Sequence, residues 1–256
     1  MKFSVITVAY NSERTIADTL RSVAAQTHPD IEHIIVDGAS RDATLRRVHE
    51  HGAHVARIIS EPDGGIYDAM NKGMCLATGD FVGFLNADDM LADRDAVSRM
   101  ATTAIGTGAD VVFSDLEYVR QDNVESVVRY WACGEFSRRR LWLGWMPPHP
   151  TFYVRRSLIA EVGEFNTALR IAADYDFILR ILGRRDISTA HVAGVMVRMR
   201  TGGVSNRSLA MMWRKSSEDL LALRRSGVGG WPTLVCKNLR KLPQFFVRSP
   251  PKPSRG

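Results

Sequence analysis

The chain has 256 residues, 45% of them apolar and 24% charged, with a net charge of +6. That balance excludes collagen-like, low-complexity and wholly disordered classes, and no apolar run approaches the roughly 18 residues needed to cross a bilayer. The charge is uneven: residues 207–256 hold 11 Lys and Arg against Glu218 and Asp219, a local +9, which leaves residues 1–206 at −3. A mildly acidic body argues against nucleic acid as partner, and a basic tail favours an anionic membrane surface.

The first strand is predicted over Phe3–Tyr10 (FSVITVAY). This apolar run superficially resembles a signal peptide, but it passes into Asn11-Ser12-Glu13-Arg14 with no small-residue cleavage site, so it reads as a strand. Asn11-Ser12 offers a cap for a helix over Glu13–Gln26. Ile34–Val36 ends at Asp37-Gly38-Ala39-Ser40 before a helix over Asp42–His51, and Val55–Ser60 ends at Glu61-Pro62-Asp63-Gly64-Gly65 before one from Ile66 to about Ala77. Phe81–Leu85 then ends at Asn86-Ala87-Asp88-Asp89, and Asp110–Val119 gives a further strand. Alternating strands and helices imply βαβ units and a parallel sheet covered on both faces.

Beyond Val119 the rhythm weakens. Met146-Pro147-Pro148-His149-Pro150 cannot be helical throughout. Helices are predicted over Ser157–Val162, Asp174–Leu182 and Arg207–Arg225, with a flexible loop over Arg200–Ser205 and a disordered end (SPPKPSRG). Cys75, Cys133 and Cys236 are odd in number and far apart, matching neither a disulfide framework nor a zinc spacing, which favours a reducing cytoplasm. His49, His51 and His54 end a charged helix and read as solvent-exposed.

The acidic residues carry the functional signal. Asp37, Asp63, Asp88 and Asp89 each follow the carboxyl end of a predicted parallel strand, the rim where open α/β sheets bind ligands. The first turn, Tyr10-Asn11-Ser12-Glu13, has no glycine cradle for phosphates. Asp88-Asp89 can compensate by holding a hard cation, Mg²⁺ or Mn²⁺, through oxygen ligands.

Val5-Ile6-Thr7-Val8-Ala9-Tyr10-Asn11, Val36-Asp37-Gly38-Ala39-Ser40-Arg41-Asp42-Ala43-Thr44, Glu61 to Gly73, Ala77-Thr78-Gly79-Asp80 and Asn86-Ala87-Asp88-Asp89 resemble, in order, the family 2 glycosyltransferases of GT-A fold. His149-Pro150-Thr151-Phe152 and Ala173-Asp174-Tyr175-Asp176-Phe177 fit that family's acceptor half. The resemblance implies a Rossmann-like, mostly parallel central sheet with helices on both faces. A GT-A domain would span residues 1–206, with a nucleotide-sugar half to about 118 and an acceptor half over 119–206, followed by a helical basic tail over 207–256.

It also implies inverting transfer from a UDP, GDP or dTDP sugar to a lipid-linked or saccharide acceptor. Tyr10, Asn11, Asp37, Asp63, Asn71, Lys72 and Asp88 would serve the donor nucleotide, Asp88 and Asp89 the metal, and Asp174 the catalytic base. The sequence departs from the family at Ala173, where its Glu-Asp pair has Glu, and Asp176 stands as a rival base. His149 fits the acceptor site, the metal or a structural loop. Arg200 and Ser205 fit a segment closing over the donor phosphates. Two alternatives stay open: a nucleotidyltransferase, which should carry the missing Gly-rich loop, and a catalytically silent nucleotide-binding scaffold. The basic, aromatic tail, with Trp231, Phe245 and Phe246 among Lys237, Arg240, Lys241 and Arg248, predicts a peripheral protein at the inner face of the cell membrane.

Overall fold

The computed structural model describes residues 1–202 and 209–240. Strand β1 (Phe3–Ala9) is buried along its whole length, as an apolar β-branched run requires when both sheet faces are covered. Helix α1 (Ile16–Ala24) turns Ile16, Leu20 and Val23 inward at helical spacing. It starts later than Asn11-Ser12 predicts, because the Ser12 carbonyl accepts from the amides of Thr15 and Ile16 in the preceding turn. β2 (Ile31–Asp37), α2 (Thr44–His51), β3 (Val55–Ser60), α3 (Ile66–Leu76) and β4 (Phe81–Phe84) repeat the unit.

These four strands lie parallel in the order β3-β2-β1-β4. Register pairs Ala9 with Asp37 and Asp37 with Ser60, so the loops that follow them open on one rim. A Cβ on Gly73 would stand 2.4 Å from Ile6 Cγ2, so only glycine lets α3 sit this close to β1.

The second half builds the far side of the same sheet. After β5 (Met90–Leu91) and α4 (Ala96–Thr107) come β6 (Val111–Val119), β7 (Val127–Trp131), α5 (Arg138–Trp142), a 3₁₀ turn (His149–Thr151) and β8 (Tyr153–Arg155). α6 (Arg156–Val162), α7 (Ala173–Leu182) and β9 (Thr189–Arg200) follow. β8 pairs antiparallel with both β4 and β6, β9 runs parallel to β6, and β5 closes the edge antiparallel to β9. β9 therefore carries Arg200, read from the sequence as part of a flexible loop, back beside the Asp88-Asp89 turn.

The two final helices pack onto the body. α8 (Leu209–Arg225) lies on α7, and α9 (Trp231–Leu239) on α8, with Ala222, Leu223 and Leu234 joining the core around Phe177 and Ile178. Lys237, expected among the membrane-facing cations, is instead 3% exposed. Its ammonium pairs with Asp219 at 2.8 Å and lies 3.2 Å from the Tyr175 ring centroid. Ser205 and the predicted tail residues Lys241, Phe245, Phe246 and Arg248 fall outside the described residues.

Candidate active site

At the donor rim, Tyr10 is 62% exposed. Asn11 adopts a left-handed φ of 48°, which asparagine tolerates, and its Oδ1 accepts from the Arg41 amide at 2.9 Å. Asp37 is fully buried. Its carboxylate accepts from the Ser40 amide at 2.9 Å, the Ser60 hydroxyl at 2.7 Å and the Ser40 hydroxyl. It thus braces the rim from within, while Tyr10 is exposed and Asp63 half-exposed. A Cβ on Gly38 would meet Asp63 Oδ2 at 2.5 Å and Tyr10 Cδ2 at 3.4 Å, so both flank the bare backbone of Gly38.

Two residues expected at the nucleotide have other work. Asn71 is buried, its amide donating to the Phe165 carbonyl at 3.0 Å and accepting from the Phe165 amide at 2.9 Å, which clamps α3 to the segment before α7. Lys72 holds the Glu61–Gly65 loop through Glu61 at 2.7 Å and the Pro62 carbonyl at 2.9 Å. The polar atoms of both residues bond within the protein.

The acidic turn after β4 combines three oxygen donors. Asp89 is fully buried, accepting from Asn86 Nδ2 at 3.1 Å and the Arg200 amide at 3.3 Å, while Asp88 is half-buried. Burial, joined by the Asp88 charge, pushes the Asp89 carboxyl well above its usual range, and burial also raises Asp88. Asn86 Oδ1 is buried with no hydrogen-bond partner. Asp88 and Asp89 offer carboxylates and Asn86 a buried, unpartnered amide oxygen, the hard-oxygen chemistry that Mg²⁺ or Mn²⁺ prefers.

Arg200 stands behind this set, with Nη1 on the Asp88 carbonyl at 2.8 Å and Nη2 on Asp18 at 2.5 Å. It is 5% exposed and acts as a strut, not as an arm of a closing loop. His54, expected in solvent, is half-buried and meets His33 at 3.0 Å.

Helix α7 separates the two candidate bases. Asp176 is buried and paired with Arg180 at 2.9 Å. Asp174, at the second position of the helix, is half-exposed and accepts from the Tyr67 hydroxyl at 3.1 Å. That hydroxyl also donates to the Ile171 carbonyl at 2.7 Å. Burial first, then the Asp174 charge, raises the Tyr67 pKa far above its usual value, so the phenol stays a donor. His149 stacks on Phe84 at 5.4 Å, and burial holds it below its usual pKa and neutral. Its Nε2 is buried and unpartnered.

Sequence reasoning missed Tyr67 and Glu218, whose partners are remote in the chain. It also missed a polar knot of Asp115, Cys133 and His191, whose ligand-type atoms lie within 4.8 Å of one another. Burial would raise the Asp115 carboxyl, but hydrogen bonds from His191, Tyr130 and Cys133 hold it below the usual range.

A family model described as Glycosyl transferase family 2 matches residues 4–163. The chain belongs to that family. Within glycosyl transferase family 2, the "PGL/p-HBAD biosynthesis glycosyltransferase" of Mycobacterium bovis (strain BCG / Pasteur 1173P2) is 33% identical over 249 residues, covering 92% of this chain and 93% of the relative. Among solved structures, S. aureus TarS 1-349 in complex with UDP-GlcNAc superposes with a TM-score of 0.69 at 23% identity, covering 89% of this chain and 66% of that one. The mannosyltransferase PcManGT from Pyrobaculum calidifontis in complex with GDP-Man and Mn²⁺ gives a TM-score of 0.63 at 19% identity, over 94% of this chain and 70% of its own. At these identities the structural matches establish the fold, which is GT-A.

Proposed function

We propose that this family 2 glycosyltransferase moves a sugar, with inversion, from a nucleoside-diphosphate donor to a hydroxyl of a lipid-linked or glycan acceptor in cell-envelope glycolipid or polysaccharide synthesis. The observation that carries the reading is the half-exposed carboxylate of Asp174 on α7, held by the hydroxyl of Tyr67 on α3 in a chain whose turn after β4 offers the carboxylates of Asp88 and Asp89. Tyr10 offers an exposed aromatic face to the planar base, and Asp63 a carboxylate to its N–H groups. Asp88 and Asp89, with Asn86, would hold a divalent ion, which would supply charge for the departing diphosphate.

Asp174 takes the acceptor proton as the hydroxyl oxygen bonds to the anomeric carbon and the bond from that carbon to the diphosphate oxygen breaks. Diphosphate leaves without a proton, so no second carboxylic acid is needed, unlike glycoside hydrolysis. The UDP-GlcNAc and the GDP-Man with Mn²⁺ bound by the two fold neighbours support a nucleotide-sugar donor and a divalent cation.

No helix among the described residues is long and apolar enough to cross a membrane. We infer attachment at the inner face of the cell membrane through Trp231, Val235 and Leu239, an exposed stripe on the outer face of α9, with exposed Trp142 and Leu143 alongside. The two segments touch, since a Cβ on Gly144 would stand 2.5 Å from the Lys237 amide nitrogen. Arg139 and Arg240 are exposed on the same two segments and suit anionic lipid.

Thermal-shift measurement against UDP-, GDP- and dTDP-sugars, with and without Mn²⁺, tests the donor reading. Stabilisation by one nucleotide-sugar that depends on Mn²⁺ is the expected result. Stabilisation by nucleoside triphosphates alone would mark a nucleotidyltransferase, and no response to any nucleotide would mark a silent scaffold.

A further inference from the structure

Glu218 of α8 reaches into the turn that precedes α7. Its carboxylate accepts three successive backbone amides, from Arg170 at 3.1 Å, Ile171 at 2.7 Å and Ala172 at 3.0 Å. The residue is 8% exposed, and Arg214 pairs with it at 3.0 Å. Burial alone would raise this carboxyl, but the Ile171 and Arg170 amides, Arg214 and the Ala172 amide outweigh burial and hold it below its usual range. It is therefore an anion in a nest of N–H groups.

The nest connects directly to Asp174. The peptide between Ile171 and Ala172 gives its N–H, that of Ala172, to Glu218, and its carbonyl, that of Ile171, accepts from the Tyr67 hydroxyl. The same hydroxyl donates to Asp174 Oδ1. One peptide unit thus links a carboxylate on α8 to the half-exposed carboxylate on α7 through Tyr67 on α3. Ala173, beside Asp174, contributes no carboxylate of its own, so the charge that orders this turn arrives from another helix.

We propose that Glu218 is a positioning residue for sugar transfer: it fixes the 170–172 turn and, through Tyr67, the orientation of Asp174. This rests on Asp174 being the base. The helix carrying Glu218 then belongs to the catalytic apparatus even though its sequence reads as the start of a basic tail. Arg170 extends the connection, with Nη1 on the Gly64 carbonyl of the donor loop at 3.3 Å, so the same turn touches both halves of the site.

The test compares Glu218→Gln, Tyr67→Phe, their double mutant and Asp174→Asn in the full chain. Nucleoside diphosphate release is followed from UDP-, GDP- and dTDP-sugars with octyl glycosides as hydroxyl acceptors. A glutamine amide cannot accept three N–H groups, so Glu218→Gln should lower kcat by about 10²-fold through misplacement of the base, with donor KM within about twofold of the native value.

The double mutant should lose no more than the worse single mutant, because both act along one chain of contacts. If Glu218→Gln fails to fold, Glu218→Asp keeps the charge while shortening its reach, and a smaller fall in kcat at unchanged donor KM is expected.

Full turnover in Asp174→Asn would overturn the base reading and this proposal with it. An inactive Asp174→Asn beside a Glu218→Gln enzyme with native kcat would overturn this proposal alone, as would losses that multiply in the double mutant.

Discussion

Tyr67 of α3 and Asp174 of α7 stand 107 residues apart in sequence and meet at 3.1 Å. The tyrosine shares its proton with the Ile171 carbonyl, so a single side chain fixes both the carboxylate and the turn before it. Tyr67→Phe keeps the ring packed on Phe165 and removes only this link. The expected outcome is a fall in kcat of about tenfold with donor affinity unchanged, and a stability cost of about 1 kcal/mol by denaturant titration. Native kcat in this mutant would show that Asp174 needs no such support.

The acidic turn makes a second prediction. Asp88 and Asp89 are both raised by burial, and the Asp88 charge raises Asp89 further, so neutralising Asp88 relieves repulsion in the metal-free protein. Asp88→Asn should leave the metal-free melting temperature equal or higher while removing the Mn²⁺-dependent part of nucleotide-diphosphate binding, measured calorimetrically. Unchanged Mn²⁺-dependent affinity would place the cation elsewhere.

How much of this was legible in the sequence differs between the halves. β1, β2 and β4 could be read because each is a buried apolar run that stops at a polar turn; β3, largely exposed at the sheet edge, could be read from its β-branched residues and the turn that follows. β8 and β5 are three and two residues long, too short for any periodicity to declare itself. Arg200 reads as loop from the glycines that follow it, yet β9 pairs it with Val119 and tucks it under Asp88. Asn71 and Lys72 sit where the motif puts them, but nothing in a linear pattern tells which way an amide or ammonium points. Lys237 looked like a surface cation because its neighbours are basic and aromatic. Its burial depends on Asp219 and Tyr175, which only the folded packing brings near.

Acid should destabilise the fold through His33. It is buried in β2 against Thr7 at 3.0 Å and His54 at 3.0 Å, and burial, then the His54 charge, pushes it down to about 3 from an ordinary 6.5. Between those values the unfolded chain binds the extra proton, so stability is full above about 6.5 and falls as pH drops. The loss should reach about 2 kcal/mol by pH 5, at roughly 1.4 kcal/mol per unit. Denaturant melts at pH 7 and pH 5 check this, and His33→Asn should flatten the difference. An equal slope in that mutant would move the acid sensitivity to another group.

The membrane reading is tested on the exposed residues and not on Lys237. Trp142→Glu combined with Trp231→Glu should release the protein from phosphatidylglycerol vesicles in a sedimentation assay, and high salt should weaken the native interaction by screening Arg139 and Arg240. Undiminished sedimentation of the double mutant would show that this face has another occupant.

The account turns on which carboxylate takes the acceptor proton, and one comparison reads it. Asp174→Asn and Asp176→Asn are assayed side by side for donor affinity and for single-turnover sugar transfer at saturating Mn²⁺. Asp174 is half-exposed beside Tyr67, whereas Asp176 is buried against Arg180. Asp174→Asn should therefore bind donor normally and transfer about 10²–10⁴-fold more slowly. Asp176→Asn should lose about 2 kcal/mol of stability while its folded fraction transfers at the native rate. The reverse pattern, a slow but stable Asp176→Asn beside a fully active Asp174→Asn, would contradict the mechanism.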